Sequence, residues 1–303
     1  MEFLLGAAGA SGAVCFTNPL EVIKTRFQLQ GELKKSGKYS VHYRNVFHAF
    51  YVIAKHEGIV ALQKGLMPAM GHQVLLNGTR FGIYDLAEKH GWLLRRDGTV
   101  SLLMSVLVGA GAGAFGGFLG SPLYLVKVHL QSLSAKSIAV GHQHSTTGTL
   151  SGLRSIYSDY GITRGLWRGA TGAMVRISVG SSVQLSTMTL MTESLVNKGI
   201  LQKDQKIMAT FITSMIGGVF VAFVMAPFDL VSTRLYNQGV DSKGRGLLYR
   251  SYIECLTKTF KQEGVQGLYK GFLPCYMRLG PHLVLSMVFW DTLRQFHKYI
   301  TDK

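Results

Sequence analysis

The sequence predicts an all-α membrane protein of six transmembrane helices, arranged as three repeats related by a pseudo-threefold axis around a central cavity. Three observations carry that expectation. The chain of 303 residues is 47% hydrophobic and only 16% charged, where an ordinary soluble domain is about 25% charged, and its mean hydropathy is +0.21. Three stretches hold no charged residue: 18 positions between Glu2 and Glu21, 29 from Gly98 to Val126, and 22 from Ile207 to Phe228. And one short pattern recurs three times at an interval of roughly one hundred residues, too long for a solenoid.

The spans follow in chain order. Each uncharged stretch can cross a hydrocarbon core of about 30 Å, which takes about 20 helical residues. Between them lie three stretches marked by ionisable groups: 65–79, which contains His72 and borders Arg80; 177–192, which borders Arg176; and 279–290, which borders Arg278. Unmarked and marked spans therefore alternate. The first kind carries small residues every fourth position, as Gly109, Gly113 and Gly117, with Gly6, Ala10 and Val14 and then Ser214, Gly218 and Ala222 at the matching places. Such faces let helix backbones approach closely in lipid. A phosphate-cradling loop would need a strand before the glycines and a basic residue just after, and neither is present.

The repeat is defined by two markers. The segments NPLEVIKTRFQLQ, SPLYLVKVHLQS and APFDLVSTRLYNQ begin at Asn18, Ser121 and Ala226, and their prolines Pro19, Pro122 and Pro227 are 103 and 105 residues apart. Behind them come HEGIVALQKG, DYGITRGLWRG and QEGVQGLYKG, whose glycines Gly58, Gly161 and Gly264 are 103 residues apart each time. The chain is thus read as one domain, 1–303, made of repeats 1–97, 98–203 and 204–303.

Several function classes are excluded. The composition is wrong for a disordered chain, a charged coiled coil or a disulfide scaffold. Cys15, Cys255 and Cys275 are far apart and are expected to be buried, inert thiols with no metal role. His142 and His144 form an HxH that reads as a solvated loop. No nucleophile and base fall on one expected face, so an enzyme with a catalytic centre or cofactor is not expected. The net charge of +16 asks for an anionic partner. That partner is not nucleic acid, because the bases are dispersed among apolar spans. With Glu2 and no basic leader, the N-terminus reads as part of the mature fold.

Pro-x-acid-x-x-base followed by acid-Gly-x4-aromatic-base-Gly, three times in register over the whole chain, resembles the mitochondrial carrier family. LNGTRFGIYD from Leu76, PLYLVK from Pro122 and RLGPHLVLSMVFWD from Arg278 resemble its oxaloacetate/dicarboxylate subgroup. The resemblance implies six transmembrane helices with three short matrix-side amphipathic helices. It implies a monomeric, multi-pass protein of the mitochondrial inner membrane, with both termini facing the intermembrane space. Transport would be by alternating access, as exchange (antiport) or uniport. The family's matrix gate maps onto Glu21 with Lys127 and Asp229 with Lys24, while Tyr124 and Ser232 stand where the third pair would be and are expected to face each other. The brace positions map onto Gln28, Gln131 and Tyr236. On the cytoplasmic side only Asp85 and Arg294 match a pair.

The substrate contact points of the family fall seven residues after Gly65, Gly169 and Gly271, at His72, Arg176 with Ile177, and Arg278; Arg80 is a further basic position in its carboxylate carriers. Arg176 and Arg278 stand alone within the even spans, and an intramembrane Arg is costly unless it faces a wet cavity or a counter-ion. Two guanidinium forks without nearby acids suit a carboxylate or phosphate dianion. The expected substrate is oxaloacetate, malate, malonate, a keto acid or a three-carbon phospho-acid. An uncoupling-type proton or anion leak and a transport-inactive structural protein stay open as alternatives. The basic-Gly turns Lys64–Gly65, Arg168–Gly169 and Lys270–Gly271 open helices whose free N–H groups favour anions, and the resemblance implies cardiolipin there.

Overall fold

The computed structural model describes residues 2–34, 42–93, 101–197 and 206–301. The repeat boundaries expected at 97/98 and 203/204 lie outside the described residues. Helix dominates: six long helices, α1 (Glu2–Leu29), α3 (Leu66–Lys89), α4 (Leu102–Ser132), α6 (Ala170–Asn197), α7 (Lys206–Asn237) and α9 (Phe272–Thr301), alternate with shorter α2 (Val46–Glu57), α5 (Thr149–Tyr160) and α8 (Tyr252–Leu268). Among the described residues no strand forms beyond an isolated bridge between Val240 and Gly246. The shortest long helix, α3, has 24 residues, about 36 Å at 1.5 Å per residue, enough to span a bilayer core.

The long helices pack in sequence order into a closed ring, α1 on α3, α3 on α4, α4 on α6, α6 on α7, α7 on α9, and α9 back on α1. The surface is inverted relative to a soluble protein. Leu103, Leu107 and Phe115 of α4 and Ile216, Phe220 and Phe223 of α7 are exposed on the outside, while Lys24, Lys127, Arg26, Asp229 and Arg234 are buried. Apolar side chains outside and ionised ones inside are what a lipid-facing bundle with a polar centre requires. Among the described residues, two helices, Leu102–Ser132 and Met215–Asn237, are apolar enough on hydropathy alone to cross a membrane. The remaining long helices fall below that mark partly through inward-facing groups such as Glu21, His72, Arg176 and Arg278, which line the cavity.

Close approach follows from the small residues. A Cβ on Gly113 would meet Ser181 Oγ at 2.8 Å, and one on Gly117 would meet Ile177 Cδ1 at 2.8 Å, so α4 and α6 are nearly in backbone contact. Pro19, Pro122 and Pro227 lie inside α1, α4 and α7, each removing one helical N–H. Below them these three helices meet at the axis. The short helices lie across that end, anchored by Val46, Ala49 and Ile53 of α2, Ile156 of α5, and Cys255 and Thr259 of α8. Asn45 Oδ1 caps α2 by accepting from His48 N–H at 2.8 Å, and Ser251 Oγ caps α8 by accepting from Glu254 N–H at 3.2 Å. Cys255 and Cys275 are buried, Cys15 is half-buried, and all three thiols are free.

Candidate functional site

A cavity of about 1210 Å³ occupies the ring's centre. It runs from an ionised floor up to Asp85, Glu88 and Lys89, which are solvent-exposed at the end of α3. The floor is built where α1, α4 and α7 converge. Lys24 of α1 pairs with Asp229 of α7, and Lys127 of α4 pairs with Glu21 of α1. Gln28 donates to Asp229 Oδ2 at 3.3 Å and accepts from Thr233 at 2.7 Å, so it supports the first pair directly. Gln131 accepts from Thr25 at 3.0 Å and donates to Asn18 Oδ1 at 3.2 Å, bracing α4 against α1 without touching an ion pair. The Tyr236 hydroxyl is bonded to that of Ser121 at 2.8 Å.

Two expectations are corrected at the floor. Arg176 and Arg278 are not free of acids: Arg176 lies 3.7 Å from Asp229 Oδ1, and Arg278 lies 3.4 Å from Glu21 Oε1. The carboxylates come from helices remote in sequence, brought beneath the arginines by convergence at the axis. These contacts are loose, and the Nε groups of both arginines and Asp229 Oδ1 are buried without a hydrogen-bond partner. Nor do Tyr124 and Ser232 face each other. The Ser232 hydroxyl is shared between Phe228 O at 2.8 Å and Gly172 O at 2.9 Å. Tyr124 instead packs its ring on Tyr236 at 5.0 Å and lies under the Arg176 guanidinium at 4.6 Å, a cation–π contact. An aromatic thus stands where a third ion pair would be and packs against a cavity-lining arginine.

The remaining wall residues divide by chemistry. His72 is wedged against Gly120, whose carbonyl accepts from Nδ1 at 3.1 Å. Ile177 is buried on α6 against Gly113 and Gly117, and Arg80 lines the cavity higher on α3. Asp85 is engaged by Lys89 of its own helix at 2.6 Å, and Arg294 is exposed on α9. Sequence reasoning missed Thr17, Gln73 and His282, which meet in the cavity: His282 Nδ1 is 3.2 Å from Thr17 Oγ1, and Nε2 is 3.1 Å from Gln73 Nε2. The signal was available, since His282 follows Arg278 by one helical turn.

A second layer, also missed, latches the repeats together beneath the floor. Arg26 holds Glu57 through two bonds of 2.6 and 2.9 Å and donates to Gln131 O and Leu133 O at the end of α4; Lys64 joins the same carboxylate at 2.6 Å. In the third repeat Arg234 and Lys270 hold Glu263 in the same way, and Arg234 donates to Gln28 O. Burial alone would raise the Glu57 and Glu263 carboxyls, but the hydrogen bonds from these bases outweigh it and hold both below the ordinary carboxylate range. The second repeat has His129 and Tyr160 in place of Arg and Glu. There His129 Nε2 donates to Tyr236 O at 2.9 Å and His144 Nε2 donates to Asn237 O at 2.9 Å, the two rings stacked at 3.4 Å. The HxH is therefore only half solvated: His142 is exposed, whereas His144 is drawn in by His129.

The sequence model of the family described as "Mitochondrial carrier protein" matches residues 1–92, 98–199 and 203–300. The chain belongs to the mitochondrial carrier family. The carrier is a multi-pass protein of the mitochondrial inner membrane, a transporter and not an enzyme. It is 49% identical to "Solute carrier family 25 member 35" of Homo sapiens over 302 residues, covering 100% of this chain and 99% of that one. It is 40% identical to the "Mitochondrial oxaloacetate transport protein" of Saccharomyces cerevisiae, covering 96% and 87%. Identity to "Mitochondrial citrate transporter E" of Aspergillus niger is 37%, covering 99% and 94%. Within the carrier, α1, α4 and α7 therefore converge on a floor held shut by the Lys24–Asp229 and Lys127–Glu21 pairs, with Arg176 and Arg278 lining the cavity above it.

Proposed function

We propose that the carrier moves a small carboxylate dianion of the oxaloacetate, malate or malonate kind, a keto acid or a three-carbon phospho-acid, by alternating access and in exchange for a second anion. The observation that carries this reading is the floor's charge. Among the described residues, Lys24, Lys127, Arg176 and Arg278 face only Glu21 and Asp229, a surplus of two positive charges. Two buried Nε–H donors there have no acceptor. A dianion would neutralise the surplus and satisfy both donors. Its carboxylates would then compete with Glu21 and Asp229 for the same bases, loosening the gate beneath it, and in that way binding energy becomes opening energy. Arg80 would draw the anion down the cavity, while His72 and Ile177 would shape its wall. The relatives named for oxaloacetate and citrate transport are in keeping with an acidic cargo.

In this reading the closed floor is the matrix gate and the open end is cytoplasmic, with Asp85 and Arg294 as its single pair. The protein acts as a monomer. Cardiolipin binds at Lys64–Gly65, Arg168–Gly169 and Lys270–Gly271. Uptake of labelled dicarboxylates, keto acids and phospho-acids into proteoliposomes tests the substrate. Arg176→Ala and Arg278→Ala should each lower dianion uptake at least about tenfold, as expected for a charge-assisted hydrogen bond of about 1.5–3 kcal/mol. Uptake at the parental rate in both variants would overturn the assignment. Melting in detergent with cardiolipin, against a zwitterionic lipid, tests the lipid sites: a specific rise is expected, and equal melting would refute them.

A further inference from the structure

The buried polar atoms left without partners are concentrated in two places. One is the cavity floor. The other is the second-repeat latch, where His129 Nδ1, Arg168 Nε and both amide atoms of Asn237 are buried and unbonded. Asn237 is fully buried and His129 nearly so. In the first and third latches each basic residue of the turn holds a carboxylate, through Lys64 with Glu57 and Lys270 with Glu263. Arg168 has no carboxylate among the described residues, because Tyr160 stands in that place. Burial pushes its guanidinium down to about 10, with Tyr160 as the opposing influence. Arg168 also lies within electrostatic reach of His129 and His144.

The donor and acceptor inventory defines what fits. Carbonyl oxygens accept from Nε2 of both stacked histidines, so each neutral ring keeps Nδ1 as a lone pair. The latch then offers Arg168 Nε–H and the Asn237 amide N–H as donors, and His129 Nδ1 and the Asn237 amide oxygen as acceptors. We propose that this latch is a binding site for a protonated oxyanion of the hydrogen phosphate type, whose bare oxygens take the two donors and whose hydroxyl serves an acceptor. The anion supplies the negative charge that Glu57 and Glu263 provide in the other latches. It joins the ends of α4 and α7 to the turn before α6 at the gate end of the molecule, away from the substrate floor. The site stands independently of which acid the carrier transports.

The test is the melting of the purified full-length carrier in cardiolipin-free detergent, with inorganic phosphate against chloride at equal ionic strength. At phosphate some tenfold above its dissociation constant, melting should rise by about 2–4 °C. Arg168→Gln removes the anchoring charge and should abolish the rise. Tyr160→Glu restores the missing carboxylate and should also abolish it, while melting in chloride at least as high as the parent. The second variant decides the matter where the first fails to fold. Absence of a phosphate-specific rise in the parent overturns the proposal, as does a rise retained in either variant, which would locate the phosphate in the substrate cavity. Cardiolipin at the neighbouring Arg168–Gly169 turn would use the free backbone N–H groups rather than these side chains, so the phosphate rise should persist in its presence; loss of the rise there would assign the latch to a lipid headgroup and defeat an aqueous ligand.

Discussion

Gly65, Gly169 and Gly271 each satisfy two constraints at once. Their φ angles of +73°, +82° and +84° lie in the left-handed region, and each backbone is the seat of one brace residue. A Cβ on Gly65 would meet Gln131 Cγ at 3.0 Å, one on Gly169 the Tyr236 ring at 3.2 Å, and one on Gly271 Gln28 Cγ at 2.9 Å. Gly58 shares the strained φ, at +83°, but nothing stands within 4 Å of its Cβ position. Gly58→Ala should therefore cost only the backbone term, about 1–3 kcal/mol, and Gly271→Ala measurably more, because Gln28 must leave Asp229. Thermal melting of the two variants checks this, and equal losses would mean that the brace contact is energetically idle. The basic-Gly turn and the brace positions were both legible in the sequence; that one rests on the other was not, since they are distant in the chain. A second expectation at this scale concerns Tyr124. Tyr124→Leu removes the cation–π support of Arg176, worth about 0.5–2 kcal/mol. Uptake should fall several-fold, through KM more than through maximal rate.

At the scale of elements, the latches add to the long-helix seams a second set of ties between the repeats at the floor end of the ring. In the first and third, a buried carboxylate between two bases ties a short helix and its turn to the end of the next long helix; in the second, His129 and His144 make the tie to the end of α7 instead. Because Glu57 and Glu263 are held below the ordinary carboxylate value, their stabilisation is complete above roughly pH 4.5 and is lost as pH falls through the folded value. Melting temperature should drop in that acid range. Glu57→Gln should lower it at neutral pH and flatten the acid decline, leaving the Glu263 share. An unchanged acid limb would show that other groups govern it. Sequence reading found the acid before Gly58 and Gly264 as part of a pattern but assigned it no partner. A clue was present: Arg26 and Arg234 appear seven residues after Pro19 and Pro227, and where His129 replaces that base, Tyr160 replaces the acid. Joint loss within one repeat marks a contact. The proximity of Arg176 to Asp229 left no such trace, because it depends on how the helices lean toward the axis.

For the whole molecule, the floor sets which side is open. Lys24→Met leaves Asp229 buried with the loose Arg176 contact and the Gln28 hydrogen bond but no close cation, and loss of one partner of a buried pair costs about 3–5 kcal/mol. The double change Lys24→Met with Asp229→Leu removes both charges and should recover part of that loss. A melting series on the two singles and the double reads the coupling, and strict additivity would deny that the pair is formed in the resting protein. Six spans and a threefold plan were legible because hydropathy and repeat spacing are properties of the chain itself; whether the floor's ion pairs are closed is a property of the assembled ring. That ring has one further consequence, for biogenesis. Its closing seam joins the first long helix to the last, and the hydrogen bond between Thr17 and His282 spans 265 residues. A chain still being inserted has five helices and an open side, with the polar face of α1 turned toward lipid. Completion must await the final helix, so shortening the chain by that one element should forfeit the fold of the whole rather than a third of it.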